Sequence, residues 1–195
     1  MNLKDKSNGY EACAEMFIRV RNPRIGADIL QDWARSLPKD ASVLDLGCGH
    51  GIPISQVLVN QGISVFGIDA SPTLISEFRR RFPDCQTECA AIEDSNFFSR
   101  RFDGVVACGL VFLLEADTQR LLIQKTATAL HPCGHFLFTA PTEPLSWQDS
   151  VTGLQSVSLG DKRYREILRE NGLVIMGERT DAGENHYYLA TKNGP

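Results

Sequence analysis

No stretch of the 195-residue chain has the length and apolar character of a membrane span. The longest nearly apolar run, Gly104 to Leu114, has 11 residues, against the roughly 20 a spanning helix needs. A signal-peptide core is missing too. The start, Met1-Asn2-Leu3-Lys4-Asp5-Lys6, continues polar, so a cytoplasmic location and no membrane partner are expected. In that compartment the six cysteines, Cys13, Cys48, Cys85, Cys89, Cys108 and Cys133, are expected to be reduced thiols. Positive charge is in deficit: 20 Lys and Arg face 24 Asp and Glu, a net charge of −4. Broad binding to a nucleic-acid backbone needs clustered cations, so no nucleic-acid partner is expected. Metal-ligand spacing is incomplete. Cys85-x-x-x-Cys89 is at most half a site, and no second Cys or His pair follows at ligand spacing. His131 and His135 are four apart but a turn signal separates them, so no metal is expected. Repeats, low-complexity tracts and Gly/Ser linkers are also missing.

What is present is globular. Hydrophobic residues at 43% and charged residues at 23% suit one domain with a full core and exclude a disordered chain. Short apolar runs alternate with helical periodicities, the pattern of a parallel sheet flanked by helices. A first helix is expected over Tyr10 to Val20. A second runs from Arg24 to Leu37, with Ile25, Ile29, Trp33 and Leu37 on one face and Pro38 as its stop. Strands are expected at Ser42–Leu46, Ile63–Ile68, Gln86–Ala90, Asp103–Cys108 and His135–Ala140. A helix follows Gly47–Gly51 and reaches about Gln61. Ser71-Pro72 opens another, with Ser71 as cap and Pro72 at its first position. Its buried face is Leu74, Ile75, Phe78 and Phe82. Arg79, Arg80 and Arg81 read as a solvated face rather than a nucleic-acid patch. Asp117 is expected to cap a helix ending near Leu130. Pro141 to Gly160 shows no clear regular structure and reads as a lid loop. A helix over Asp161–Asn171 ends at Gly172. Strands at Leu173–Thr180 and Asn185–Lys192 are joined through the turn Asp181-Ala182-Gly183.

Glycines gather where the first strand ends, in Val43-Leu44-Asp45-Leu46-Gly47-Cys48-Gly49-His50-Gly51. The second strand ends in Ile68-Asp69-Ala70-Ser71. In a doubly wound sheet, ligands bind beyond the carboxyl ends of the strands, beside strand one. Glycine lets backbone approach a ligand closely. Asp69, 22 residues after Gly47, stands where a carboxylate can accept hydrogen bonds from both hydroxyls of a ribose. A nucleoside-containing ligand follows. The dinucleotide fingerprint G-x-G-x-x-G is broken, because Ile52 takes the place of its third glycine. Asp45 would repel a pyrophosphate and suits a ligand carrying an ammonium group. Both features disfavour a nucleotide-dependent oxidoreductase.

This combination resembles the class I S-adenosylmethionine-dependent methyltransferases. Glu93 stands 10 residues before Asp103, Asp103-Gly104-Val105-Val106 is similar to the family's fourth strand, and Leu130 to Leu137 is similar to its entry into strand five. The resemblance covers Ser42 to Pro141 closely and the terminal elements more loosely. It implies a Rossmann-like α/β fold: a doubly wound, mostly parallel seven-stranded sheet with an antiparallel C-terminal hairpin strand and helices on both faces. A single methyltransferase domain is expected, divided into an N-terminal helical cap (1–38), a cofactor-binding core (39–140), a lid or substrate loop (141–160) and a terminal helix and β-hairpin (161–195). The implied cofactor is S-adenosyl-L-methionine. Asp45, through water, and the backbone of Gly47, with Gly49 in the same turn, would hold its methionine end. Asp69 would hold the ribose, with Ala70 beside it. Ile92 and Glu93 would line the adenine, and Cys108 and Gly109 would pass close to the sulfonium. One position departs from the pattern: the family often has Asp two residues before the position of Glu93, where this chain has Ala91.

Methyl transfer from a sulfonium is an in-line displacement, so the protein mainly supplies alignment and exclusion of water. A base is needed only where the nucleophile starts protonated, and His186 is the candidate, beside the reading of a structural histidine. The tetrapeptide of amino-methylating DNA enzymes is replaced by Cys108-Gly109-Leu110-Val111. Pro132-Cys133 falls in a turn and reads as a turn substitution rather than a nucleophile. Cys85, Cys89 and Cys108 leave arsenic chemistry as a minor reading. Substrate contacts are expected from Tyr10, Phe17, Arg19 and Arg24 in the N-terminal segment, Trp147 and Asp149 in the lid, and His186 and Tyr188 in the hairpin. Size and acidity favour a small-molecule acceptor with an O, N or S nucleophile. An RNA or protein methyltransferase, and an inactive cofactor-binding regulatory subunit, are the alternatives.

Overall fold

A computed structural model describes residues 5–194. Met1 to Lys4 and Pro195, the outermost residues of the expected cap and terminal hairpin, lie outside the described residues. The chain runs α1 (Ala14–Val20), α2 (Ala27–Arg35), β1 (Ser42–Leu46), α3 (Ile54–Asn60), β2 (Ser64–Asp69), α4 (Pro72–Arg81), β3 (Gln86–Cys89), β4 (Phe102–Ala107), α5 (Ala116–Ala129), β5 (Leu130–Thr139), β6 (Pro144–Gln148), β7 (Gln155–Leu159), α6 (Asp161–Glu170), β8 (Leu173–Thr180) and β9 (His186–Lys192). The large sheet has the order β3-β2-β1-β4-β5-β9-β8. β1, β2, β3, β4 and β5 pair in parallel, and β9 is antiparallel to both β5 and β8. This is the doubly wound sheet expected, with the order reversing beside β1.

Both faces of the central strands are covered, which is why they are almost wholly apolar. One face carries Leu44, Leu46, Phe66, Val105, Phe136 and Phe138 against Leu122 and Ile123 of α5 and Tyr164 of α6. The other carries Val43, Val65, Val106 and Leu137 against Leu30 and Trp33 of α2 and Leu58 of α3. Gly104 belongs to β4 for a packing reason: a Cβ there would sit 2.8 Å from the Trp33 ring. Ser71 caps α4 as expected, its hydroxyl accepting from the Leu74 amide at 3.1 Å.

Two expectations need correction. Asp117 is not the cap of α5. The helix starts at Ala116 after Glu115 with no side-chain cap, and Asp117 lies in its first turn, paired with Arg120 at 3.0 Å. Its preference for the positive end of the helix dipole gives the same sequence signal as a cap. Residues 141–160 are not an irregular loop. They form the antiparallel hairpin β6–β7, with Trp147 opposite Ser156. Its tight turn is built by Asp149, whose Oδ1 accepts from the amides of Val151 and Thr152 and from the Thr152 hydroxyl. Cys133 has φ +62°, a left-handed position of the kind glycine usually fills, in keeping with a turn substitution.

Candidate active site

A cleft of about 1380 Å³, counted to its open mouth, runs across the carboxyl ends of the parallel strands. Gly47, Cys48 and Gly49 follow β1, Asp69 and Ala70 end β2, Ala90 to Glu93 follow β3, Cys108 and Gly109 follow β4, and Thr139 ends β5. β9 enters from the opposite direction, so its first residues, with Asn185 and Tyr187, reach the same end.

The floor is shaped by backbone. The amides of Gly47 and Cys48 both donate to the Ile68 carbonyl, at 2.8 and 3.1 Å, folding the glycine turn back over β2. Gly49 then donates its amide to Asp69 Oδ2 at 2.8 Å, and Ser71 donates its own to Asp69 Oδ1 at 2.8 Å. Burial pushes the Asp69 carboxyl up from its usual range, against these two amide bonds. Each carboxylate oxygen has further acceptor capacity, and the side chain borders the cleft. At Gly109, φ +71°, an added Cβ would meet nothing within 4 Å, so the backbone there faces open space. Its amide donates to Thr139 Oγ1 at 2.7 Å. Behind the adjoining wall, the Lys125 ammonium donates to the carbonyls of Ile92 and Ser95 at 2.6 and 2.5 Å, fixing the segment after β3.

The N-terminal segment and the β6–β7 hairpin form the roof. Lys6 pairs with Asp94 at 2.6 Å. Glu11 accepts from the Ser71 hydroxyl, from the Thr73 amide at 3.1 Å and from the Thr73 hydroxyl at 2.7 Å. Tyr10 packs edge-on against Phe17, 5.3 Å between centroids, and Phe17 against His50 at 5.7 Å. Asp149, Ser150 and Val151 at the hairpin tip border the cleft from the other side. Burial pushes up the Tyr10 phenol, with the Asp149 charge adding to it.

Most of the residues expected at the site meet here. Gly47, Gly49, Asp69, Ala70, Ile92, Glu93, Cys108, Gly109, Tyr10 and Phe17 all line the cleft, as does Asp149. Ala91, the departure from the family pattern, lines it beside them. Asp45 does not. It is 1% exposed beneath the glycine turn, where Oδ2 accepts from the Ser55 hydroxyl at 2.6 Å. Burial pushes its carboxyl up to about 7, against that bond. Arg19 points to solvent and pairs with Glu15, and Arg24 is also exposed and outside the cleft. Trp147 stands behind the cleft wall, its ring 5.4 Å from that of Phe112, which lines it.

The hairpin candidates fall on the wrong face. His186 faces Glu178 of β8 at 3.0 Å, and Tyr188 is fully buried, stacked on Phe138. Side chains alternate along a strand, so Tyr187 turns the other way and lines the cleft. Its hydroxyl donates to Asp181 Oδ2 at 2.8 Å. His186, the candidate base, thus stands on the far side of β9 against Glu178 and Tyr188, which favours the other reading given to it, a structural histidine. Tyr187, Asn185, Thr139 and Arg21 are among the cleft residues the sequence reading missed. For Tyr187 the alternation was a usable signal; for Arg21 there was none.

Burial pushes Cys48 and Cys108 well up, and the Asp45 charge adds to both. Cys89 is exposed and Cys85 half-buried against α4 and β2, so neither joins Cys108 in the cleft lining.

The sheet order, the glycine turn after β1 and the acid ending β2 define a nucleoside-binding α/β protein. Residues 43–134 match the family model described as a methyltransferase domain. That match, just under half of the chain, agrees with the resemblance to the class I S-adenosylmethionine-dependent methyltransferases read from the sequence. It is 26% identical over 157 residues to O-methyltransferase resE of Aspergillus sclerotiorum, taking in 73% of this chain and 58% of that protein. The chain thus spans little more than half the length of that curated relative. Among solved structures, a S-adenosylmethionine-dependent methyltransferase from Clostridium acetobutylicum superimposes with a TM-score of 0.71 at 15% identity, over 95% of this chain and 99% of that one. Magnesium protoporphyrin IX methyltransferase from Synechocystis, with bound S-adenosylmethionine, superimposes with a TM-score of 0.70 at 18% identity, over 92% and 84%. These structural likenesses concern the fold. No helix among the described residues is long and apolar enough to cross a membrane.

Proposed function

We propose that the chain is an S-adenosylmethionine-dependent methyltransferase acting on an O, N or S nucleophile of a small-molecule acceptor. The observation that carries this is the convergence in one cleft of eight of the nine residues assigned to the cofactor from the sequence: Gly47, Gly49, Asp69, Ala70, Ile92, Glu93, Cys108 and Gly109. The open space facing Gly109 is a place where backbone meets ligand without a side chain between. Two structural neighbours, named as magnesium protoporphyrin IX methyltransferase and 1,6-didemethyltoxoflavin-N1-methyltransferase, are in keeping with a small acceptor.

In this reading Asp69 holds the ribose hydroxyls, Ile92 and Glu93 the adenine, and the turn at Gly47 and Gly49 the amino-acid end. Asp45 acts from below, by fixing Ser55 and the turn rather than by reaching the ligand. When bound, the cofactor supplies a methyl group already activated on a sulfonium. The chain's own task is then alignment and exclusion of water. Tyr10 and Phe17 cover the cleft with aromatic rings, suited to a cationic ligand. Burial keeps Tyr10, Tyr187 and Cys108 protonated at neutral pH, so they donate hydrogen bonds and do not act as bases. The arrangement favours an acceptor that is nucleophilic without strong deprotonation.

The test is calorimetric titration with S-adenosylmethionine and S-adenosylhomocysteine, with NADH as control, followed by a methyl-transfer screen over phenols, amines and thiols. The expected result is binding of the first two, none of NADH, and turnover on a small acceptor. Binding with no turnover on any acceptor class would replace the enzyme reading with that of a regulatory subunit. Salt-sensitive binding of RNA would replace the small acceptor.

A further inference from the structure

Three acids line the cleft: Asp69, Glu93 and Asp149. They differ in what remains free. Asp69 takes an amide on each oxygen. Glu93 is exposed. Asp149, in the turn between β6 and β7, is only 8% exposed, and its two oxygens are used unequally. Oδ1 accepts from the amides of Val151 and Thr152 at 3.0 and 2.8 Å and from the Thr152 hydroxyl at 3.1 Å. Oδ2 accepts no hydrogen bond among the described residues, yet it is not sealed inside the protein. Because the residue borders the cleft, this free oxygen opens on it.

Neither cation of the lining satisfies Asp149. Lys6 is paired with Asp94. The Arg21 guanidinium lies 5.9 Å from the centre of the Phe17 ring and reaches no carboxylate among the described residues. The Tyr10 phenol is near enough to be raised by Asp149, but their geometry falls short of a hydrogen bond. The N-terminal segment shields the turn: a Cβ added at Gly9 would stand 3.0 Å from Leu154 and 3.3 Å from Thr152. A carboxylate oxygen withdrawn from bulk water and left without a partner calls for a cationic donor. The residues assigned to the cofactor line the floor, whereas Asp149 belongs to the roof, beside the apolar Phe112 and Val151. The group it meets is therefore that of the other ligand, the acceptor.

We propose that Asp149 is the specificity-determining residue of the acceptor site, its Oδ2 pairing with a protonated amine of the acceptor. This rests on the function proposed above and narrows the acceptor to ammonium-bearing small molecules. Asp149 binds and orients; it moves no proton.

Wild type and Asp149→Asn, each saturated with S-adenosylhomocysteine, are titrated with benzylamine, benzyl alcohol and benzoate, one ring with a cationic, neutral or anionic head. Asn closes the same kind of turn through its side-chain oxygen, so the variant removes the charge and keeps the hairpin. The expected result is benzylamine bound by wild type at least about tenfold more tightly than the other two. That preference is lost in Asp149→Asn, with S-adenosylhomocysteine affinity unchanged. Benzyl alcohol or benzoate bound as tightly as benzylamine, or benzylamine not bound by wild type, overturns the proposal. So does a preference that survives in the variant, even where all three ligands weaken alike, since it then comes from the aromatic rings. Should Asp149→Asn not fold, Asp149→Ser, whose hydroxyl also closes such turns, repeats the series. Should wild type bind no S-adenosylhomocysteine, the function proposed above falls by itself, and the same series on the ligand-free protein decides on Asp149 as an ammonium site by the same criteria.

Discussion

The floor and the roof of the cleft are held by different means. The floor is fixed by backbone over short reaches of sequence: the glycine turn bonded to Ile68, and Asp69 bonded to Gly49 and Ser71. The roof is fixed by side chains over long reaches, Lys6 to Asp94, Glu11 to Ser71 and Thr73, and Phe17 to His50. Backbone geometry imposes residue types, so the floor leaves a pattern in the sequence. Side-chain contacts between distant segments impose little, so the roof does not. The comparison also predicts where substitutions hurt the fold and where they hurt only closure.

The largest effect is expected in the floor. Gly51 has φ +87°, and an added Cβ would stand 2.3 Å from the Phe82 ring. Gly51→Ala should lower stability by about 2–4 kcal/mol through left-handed strain and overpacking. A urea midpoint equal to that of wild type would show that the turn yields more easily than described. Next comes Asp69→Ala, which should weaken S-adenosylhomocysteine by about 1.5–3 kcal/mol, the range for hydrogen bonds to a charged group. Unchanged affinity in calorimetry would remove the ribose from Asp69.

The roof should respond differently. Glu11→Ala is expected to cost about 1 kcal/mol locally, speeding amide exchange in residues 7–13 while barely moving the urea midpoint. A matching drop in global stability would erase the distinction between floor and roof. This latch is pH-dependent. Burial raises the Glu11 carboxyl, but the bonds from Ser71 and Thr73 outweigh that and leave it below its ordinary value. The folded state then binds its proton less readily than the unfolded chain. Its contribution is present above the ordinary glutamate range and is lost as pH falls through the lowered value, so exchange in residues 7–13 should quicken in acid. The smallest effect is expected off the site. His186→Gln should leave cofactor affinity unchanged and stability within about 0.5 kcal/mol. A large loss of turnover in that variant, with affinity intact, would return His186 to the catalytic role its position on β9 denies it.

The same contrast explains what could be read from the residues. β1 was legible to the residue because Val43, Leu44 and Leu46 run into a glycine turn. β8 and the start of α4 followed from similar signals, whereas the doubly wound sheet was what the family resemblance implied. The hairpin β6–β7 was missed because its strands, Pro-Leu-Ser-Trp-Gln and Gln-Ser-Val-Ser-Leu, are short and serine-rich, β6 is mostly exposed, and the buried positions of β7 include Ser156 and Ser158. Its order comes from the Asp149 turn and from pairing, and neither needs apolar alternation. On β9 the alternation was evident, but which face meets the cleft depends on how β9 sits against β5. Choosing His186 and Tyr188 over Tyr187 was an error of face. Arg21 stands just beyond a seven-residue helix, and nothing in its neighbours fixes its direction until α1 packs over the glycine turn.

Ser71 joins both halves of the cleft. Its amide donates to Asp69, and its hydroxyl donates to Glu11 while accepting from Leu74. The proposed ribose acid, the start of α4 and the latch of the roof thus share one small residue. A rotation of that hydroxyl away from Glu11 would unfasten the N-terminal segment and disturb the anchoring of α4 at the same moment. Cover and floor are therefore not independent parts: entry to the cleft and the rigidity of its nucleoside end are tied at one hinge pin, and a ligand that steadies either would steady the other.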